Sequence, residues 1–182
     1  MKQAIGMAEL TTVSSGIAAA DFMVKTAQVE IIEAQVVCPG KYIVLVCGGI
    51  AAVKAAVDGV KTQFAKNVSD SFVLGNPHES LFGALYGTAR VEQVRALGVL
   101  ETYSAPSIIT AADAAAKTAV VDLIELRVAR GMCGKSYMLL SGEVAAVDAA
   151  IARAQAVAGG AGLFLDSTVI ANPDQKLWKT IL

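Results

Sequence analysis

The sequence has few of the residues from which most catalytic and metal-binding sites are built. Its 182 residues include one histidine and three cysteines. It contains no Walker phosphate loop, dinucleotide-binding fingerprint, HExxH helix or nucleophile elbow. No enzyme constellation is therefore recognisable, and we expect a structural protein that is not an enzyme.

Charge is also scarce, and neither sign predominates. Only 17% of the residues are charged and the formal net charge is −1, so no basic surface for nucleic acid is expected. The longest uncharged apolar run, Tyr42–Val53, is shorter than the roughly 18 residues of a membrane-spanning helix. We expect neither nucleic acid nor a membrane as partner. Without a secretory leader pattern, a cytoplasmic location with reduced thiols is expected.

The sequence consists of two copies of one repeat. Residues 5–37 align with residues 97–129 at an offset of 92, and 14 of these 33 positions are identical. Similar segments continue at an offset of 94 in the middle of the repeat and of 96 near its end. Self-similarity of this length predicts two homologous domains. We place them at residues 1–90 and 95–182, with the join near residues 89–95.

Each copy has the same predicted order of elements: strand, helix, two strands, helix, strand and short helix. β-branched runs flank Pro39-Gly40, which is typical of a hairpin turn. The first helix is predicted at Ser14–Ala27 with Ser14 as its N-cap, and short helices are predicted to begin at Pro77 and Pro173. This order predicts an α+β fold in which helices cover a mostly antiparallel sheet.

Three segments of the first copy resemble the bacterial microcompartment (BMC) shell domain: AADFMVKTAQVEII, CPGKYIVLVCGGIAAVKAAVDG and VLGNPH. Two such domains in one chain are similar to the tandem, trimer-forming class of these shell proteins. The Cys-Pro-Gly-Lys turn is similar to that of the iron-sulfur-bearing type from propanediol-utilisation microcompartments. The resemblance covers essentially the whole chain. It implies a homotrimer that forms a pseudohexagonal tile of the shell, beside other shell proteins, around a central pore.

The resemblance also implies that the loops between the second and third strands of each domain surround the pore. The predicted pore-loop residues are Cys38, Pro39, Gly40, Lys41, Met132, Cys133, Gly134 and Lys135. Three copies of Cys38 on a threefold axis would suffice for a 4Fe-4S cluster with one iron left for another ligand. We therefore expect one cluster per trimer, which passes electrons across the shell, with a redox enzyme or electron carrier as a further partner.

The residues alone leave other interpretations of the cysteines open. Cys38 is also compatible with an ordinary turn residue, or with the lining of a plain pore for small metabolites. A cytosolic redox enzyme with Cys38 or Cys133 as nucleophile is a more remote alternative. Cys133 is otherwise a structural residue of a longer loop, a thiol beside the cluster, or a rival ligand. Cys47, in the apolar run IVLVC, is expected in the core.

Two lysines are candidate contacts at the tile edge. Asp21 with Lys25, and Asp113 with Lys117, are four residues apart on the first helices, where such a pair is worth only a few tenths of a kcal/mol. The resemblance implies that Lys25 and Lys117 pack against neighbouring tiles. Asn-Pro stands in both copies where many family members have Arg-Pro, so the edge departs from the family pattern.

Three further polar residues are expected to be structural. Glu9 and Glu101 occupy equivalent positions of the two copies, and a duplicated acid indicates structure rather than chemistry. His78, the only histidine, follows a proline and is expected to be a polar residue at a helix start rather than a base or ligand.

Overall fold

Each repeat forms one four-stranded antiparallel sheet covered by helices. The computed structural model describes residues 4–91 and 95–181. The first repeat contains β1 (Ala4–Leu10), α1 (Val13–Thr26), β2 (Val29–Val37), β3 (Lys41–Gly48), α2 (Ile50–Gln63), β4 (Val68–Gly75) and α3 (Ser80–Leu85). The second contains β5 (Ala96–Thr102), α4 (Ala105–Thr118), β6 (Asp122–Arg127), β7 (Ser136–Gly142), α5 (Val144–Gly160), β8 (Phe164–Ile170) and α6 (Gln175–Ile181). These elements confirm the predicted α+β class.

The two sheets have the same topology. Their strand orders are β2-β3-β1-β4 and β6-β7-β5-β8, and all neighbouring strands are antiparallel. The first strand of each repeat is therefore central, and every residue of β1 is buried. In the described part of the chain, no helix combines the length and apolarity needed to span a bilayer.

Glycine at one position of the central strand lets a helix approach the sheet closely. A Cβ on Gly6 would lie 2.6 Å from Val53 Cγ1 and 2.8 Å from Val57 Cγ2 of α2. The equivalent Gly98 is as tightly packed, since its Cβ would lie 2.9 Å from Val147 Cγ1 of α5. Because any larger residue would push the helix off the sheet, both repeats need glycine here.

The chain divides into two compact units. Their ranges are 4–77, 104–107 and 129–135 for the first unit, and 78–103, 108–128 and 136–181 for the second, within the described residues. The first unit thus contains both predicted pore loops. The predicted domain bounds 1–90 and 95–182 stay a prediction, and residues 92–94 of the predicted join lie outside the described residues.

Some predicted helix starts were wrong. Thr12, not Ser14, is the N-cap of α1, because its backbone is extended and its Oγ1 accepts from the Ser15 N–H at 3.3 Å. Pro77 and Pro173 do not begin helices: α3 and α6 start three and two residues later. Proline fixes its own φ, but it does not make the next residue helical.

Candidate functional site

Cys38 lies in the tight turn between β2 and β3. The Gly40 N–H donates to Val37 O at 2.9 Å and closes the turn. Gly40 has a φ of +101°, which glycine adopts without the steric cost that a Cβ would add. The predicted turn is therefore confirmed, and it presents the Cys38 side chain in a half-buried position.

The loop formed by residues 129–135 contacts this turn within the first unit. The Cys38 N–H donates to Ala129 O at 3.0 Å, and the Gly131 N–H donates to Cys38 Sγ at 3.3 Å. Gly134 is so close that a Cβ there would lie 3.3 Å from Cys38 O, and its φ is +87°. The loop therefore holds both the backbone and the sulfur of Cys38.

All eight predicted pore-loop residues belong to this turn and loop or directly flank the turn. Their role around a pore stays a prediction. Cys133 is exposed, and its backbone has a φ of +52°. Cys47 is buried in β3, which confirms its predicted place in the core.

Lys41, directly after the turn, forms an ion pair with a buried acid. Its Nζ lies 2.6 Å from Oε1 of Glu9, and Glu9 is fully buried. The Ser69 hydroxyl donates to the same Oε1 at 2.7 Å, and the Ala105 N–H donates to Oε2 at 2.9 Å. Glu9 is thus structural, as expected. It also neutralises the charge of Lys41, the predicted pore-loop residue that directly follows the turn.

A second acid lies opposite Glu9 in the sheet. Asp70 of β4 accepts from the Ser104 hydroxyl at Oδ2 and from the Ser71 N–H at Oδ1, the latter at 2.7 Å. Burial raises the pKa of Asp70 above its ordinary value, and the charge of Glu9 adds to this rise. The two hydrogen bonds and the charge of Lys41 act in the opposite direction.

The predicted ion pairs of the first helices are confirmed, but their environments differ. Lys25 Nζ lies 2.6 Å from Asp21 Oδ2 with both side chains exposed. Lys117 Nζ lies 2.7 Å from Asp113 Oδ2, and this aspartate is buried. The His78 N–H donates to Asp113 Oδ1 at 2.8 Å. The contact of either lysine with a neighbouring tile stays a prediction.

Among the described residues of one chain, no group of three or more histidine, cysteine, aspartate or glutamate side chains could hold a metal ion. The second unit has cavities of about 380 Å³ and about 340 Å³. The first is lined by the Arg95 and Glu143 ion pair, and the second by His78 and Lys117. Cys38 lines neither cavity.

Comparison with known sequences gives a consistent family match. The profile of the BMC domain matches the chain twice, at residues 4–77 and 96–173. The bacterial microcompartment shell protein PduT of Citrobacter freundii is 36% identical over 182 residues, which is 100% of this chain and 99% of that protein. The carboxysome assembly protein CcmO of Synechococcus elongatus is 36% identical over 118 residues, which is 58% of this chain and 42% of that protein.

Solved structures show the same fold. A microcompartments protein from Desulfitobacterium hafniense DCB superposes with a TM-score of 0.86 at 43% identity, covering 98% of this chain and 99% of that one. The fused permuted hexameric shell protein from the RMM microcompartment has a TM-score of 0.65 at 21% identity, covering 87% of this chain and 82% of that one. The second likeness concerns the fold alone.

Proposed function

The chain belongs to the BMC domain family and is a bacterial microcompartment shell protein of the tandem type, and on that premise we propose that it forms a homotrimeric tile with an iron-sulfur centre. Three two-domain chains form a pseudohexagonal tile that packs beside other shell proteins. At the threefold axis, Cys38 from each chain binds one 4Fe-4S cluster. The protein serves in structure and electron transfer, and we propose no enzymatic activity for it.

The environment of the Cys38 sulfur carries this proposal. Thiolate sulfur is the ligand that iron-sulfur clusters require. Cys38 is half-buried at a tight turn, and the Gly131 N–H points at its sulfur from 3.3 Å. Backbone N–H groups on ligand sulfur stabilise negative charge and tune cluster potential. The donor type and its hydrogen bond therefore fit an iron-sulfur ligand.

The number of ligands requires more than one chain. One chain contributes one Cys38, so a ring of three supplies three of the roughly four cysteine ligands that such clusters usually have. When bound, the cluster supplies one-electron redox chemistry. The remaining position is left for water, a small ligand or a redox partner. An electron carrier or redox enzyme is thus the partner that this function requires.

Anaerobic reconstitution with iron and sulfide tests the ligand assignment. We expect about four irons per three chains and an EPR signal after reduction in the wild type. Cys38→Ser should bind no cluster, because serine is a harder ligand with a far higher pKa than a thiol, yet it should remain folded because the turn buries little surface. Cys133→Ser, in the adjacent loop, is the matched control and should keep the cluster.

Two results would change the proposal. If Cys38→Ser kept full iron and Cys133→Ser lost it, the ligand would be in the loop 129–135 and not in the turn. If the wild type bound no iron under anaerobic conditions, the electron-transfer function would be replaced by that of a plain pore for small metabolites.

A further inference from the structure

The loop 129–135 is longer than the equivalent turn of the first repeat, because the repeat offset changes from 92 to 94 across it. Arg130 and Gly131 lie in this longer connection. The Gly131 N–H donates to Cys38 Sγ at 3.3 Å, and the Arg130 guanidinium donates to Glu33 Oε1 of β2. Two consecutive residues of the loop therefore contact the proposed iron ligand and an acid of the first repeat, all within the first compact unit.

The backbone on both sides of Arg130 has a conformation that other contacts must hold. Ala129 has a φ of +54° and Gly131 a φ of +71°. Glycine adopts this region freely, but the Cβ of alanine makes it sterically unfavourable. Such a residue persists where its surroundings fix it. The Arg130 side chain, between these two residues, provides one of the contacts that fix this segment beside Cys38.

Glu33 needs the positive charge of Arg130. The Glu33 side chain is 10% exposed, and its Oε1 accepts from Arg130 and from the Gln35 amide. Its Oε2 is buried and has no hydrogen-bond partner among the described residues. A buried carboxylate without a counter-charge is strongly unfavourable. The ion pair with Glu33, here called the tether, therefore fixes Arg130 to β2.

The equivalent acid of the second repeat has local partners instead. Glu125 Oε1 accepts from Arg127 Nη2 at 2.8 Å, and its Oε2 accepts from the Tyr137 hydroxyl at 2.7 Å. The first repeat has Gln35 and Ile43 at the positions of this arginine and this tyrosine. A neutral amide and an alkyl chain cannot replace a cation and a hydroxyl. The counter-charge of the first-repeat acid therefore comes from the loop, 97 positions away.

We propose that Glu33 is a positioning residue for the iron-sulfur cluster, which acts through Arg130 to hold the Gly131 N–H on the sulfur of Cys38. A hydrogen bond to a ligand sulfur stabilises the more negative, reduced cluster and so raises its reduction potential. The tether thus raises the potential. This inference rests on the iron-sulfur centre of the proposed function, but the hydrogen bond that it concerns can be measured without iron.

Amide hydrogen exchange at Gly131 tests the tether in the iron-free protein, by NMR after nitrogen-15 labelling of glycine. Glu33→Ala and Arg130→Ala should each speed this exchange about tenfold, because a hydrogen bond to a charged group is worth at least that factor. Arg130→Lys keeps the charge and should restore most of the protection. Lys61→Ala removes a cation from an exposed helical pair and should exchange like the wild type.

The double variant shows whether the two residues act as one unit. If Glu33 holds Gly131 through Arg130, the variant with both alanines should exchange no faster than either single variant. Arg130 is 51% exposed, so its substitution should leave the chain folded even if Glu33→Ala does not fold. Additive effects of the two substitutions would show that they act separately and would contradict the proposal.

An EPR-monitored redox titration of the reconstituted protein separates positioning from charge. Both alanine variants keep Cys38, so both should bind full iron, and both should have a more negative potential than the wild type. Direct electrostatics predicts opposite signs, since loss of a carboxylate would raise the potential and loss of a guanidinium would lower it. Arg130→Lys should stay near the wild type, because it restores the hydrogen bond as well as the charge.

The outcomes distinguish this inference from the proposed function. Wild-type Gly131 exchange in Glu33→Ala, or a more positive potential of that variant, would contradict the positioning role and leave the cluster intact. A wild type that binds no iron would contradict the cluster. Faster Gly131 exchange in both alanine variants would then still support the tether.

Discussion

The α1–β2 face of the first repeat and the α4–β6 face of the second carry equivalent residues but have opposite exposure. Ile31 of β2 is 42% exposed, and the equivalent Leu123 of β6 is 3% exposed. In the second unit α3 packs against β6, and the buried Asp113 receives its hydrogen bond from His78. The sequence pattern therefore specifies an apolar face, while the neighbouring segment decides whether that face is covered within the chain.

The largest difference between the two faces is expected when a charged residue is introduced in the middle of each. Ile109→Asp buries a carboxylate in the core and should cost more than about 4 kcal/mol of unfolding free energy. Ile17→Asp should change the stability of the dissociated chain by about 0.5 kcal/mol or less, yet abolish trimer formation. Urea unfolding of dilute protein and light scattering measure the two effects. Equal loss of stability in both variants would contradict the assignment that Ile109 is buried within the chain and Ile17 is exposed.

A weaker contrast is expected between the duplicated glutamates. Glu9→Ala leaves Lys41 without its acceptor in a half-buried position and should cost about 3 kcal/mol. Glu101→Ala removes an acid without a hydrogen-bond partner among the described residues and should cost the single chain about 0.5 kcal/mol or less. Urea unfolding below the trimer dissociation concentration measures both. A similar cost for the two variants would show that Glu101 is also buried in a network of its own chain.

Much of the fold could be predicted because the repeat doubles every local signal. Strand and helix periodicity, the Pro39-Gly40 turn and the internal alignment all act over short distances in the sequence. One error arose where two residues compete for one role. Thr12 and Ser14 both suit an N-cap, and only the extended backbone at Thr12 decides between them.

The site was predictable in its residues but not in its contacts. The Cys-Pro-Gly-Lys turn identified Cys38, but no local pattern connects it with Gly131, which is 93 positions away and donates through its backbone. The pairing of Lys41 with Glu9 was missed for a similar reason, since the two residues are on different strands. Duplication of Glu9 as Glu101 was the available signal for a structural acid.

The edge lysines provide a smaller contrast between the same two helices. Lys117→Glu removes the counter-charge of the buried Asp113 and should cost about 1 kcal/mol, discounted because Lys117 is itself exposed. Lys25→Glu should cost only a few tenths of a kcal/mol. Both should leave the trimer folded and disturb sheet formation, as seen by electron microscopy. Lys61→Glu on α2 is the control, and normal sheets from both edge variants would remove the tile-edge assignment.

The smallest expected effect is a pH dependence that comes from Asp70. Burial raises its pKa above 3.8, so the native state holds this proton more tightly than the unfolded chain does. The free energy of unfolding should therefore fall as the pH rises from 3.8 through the raised pKa, and this contribution should be constant above it. Asp70→Asn should flatten the fall. Ser104→Ala removes a hydrogen bond that lowers the pKa and should extend the fall to higher pH. Urea unfolding at a series of pH values across this range measures the free energy of unfolding of each variant. If the free energy of Asp70→Asn fell with pH in parallel with that of the wild type, the pH dependence would come from other groups.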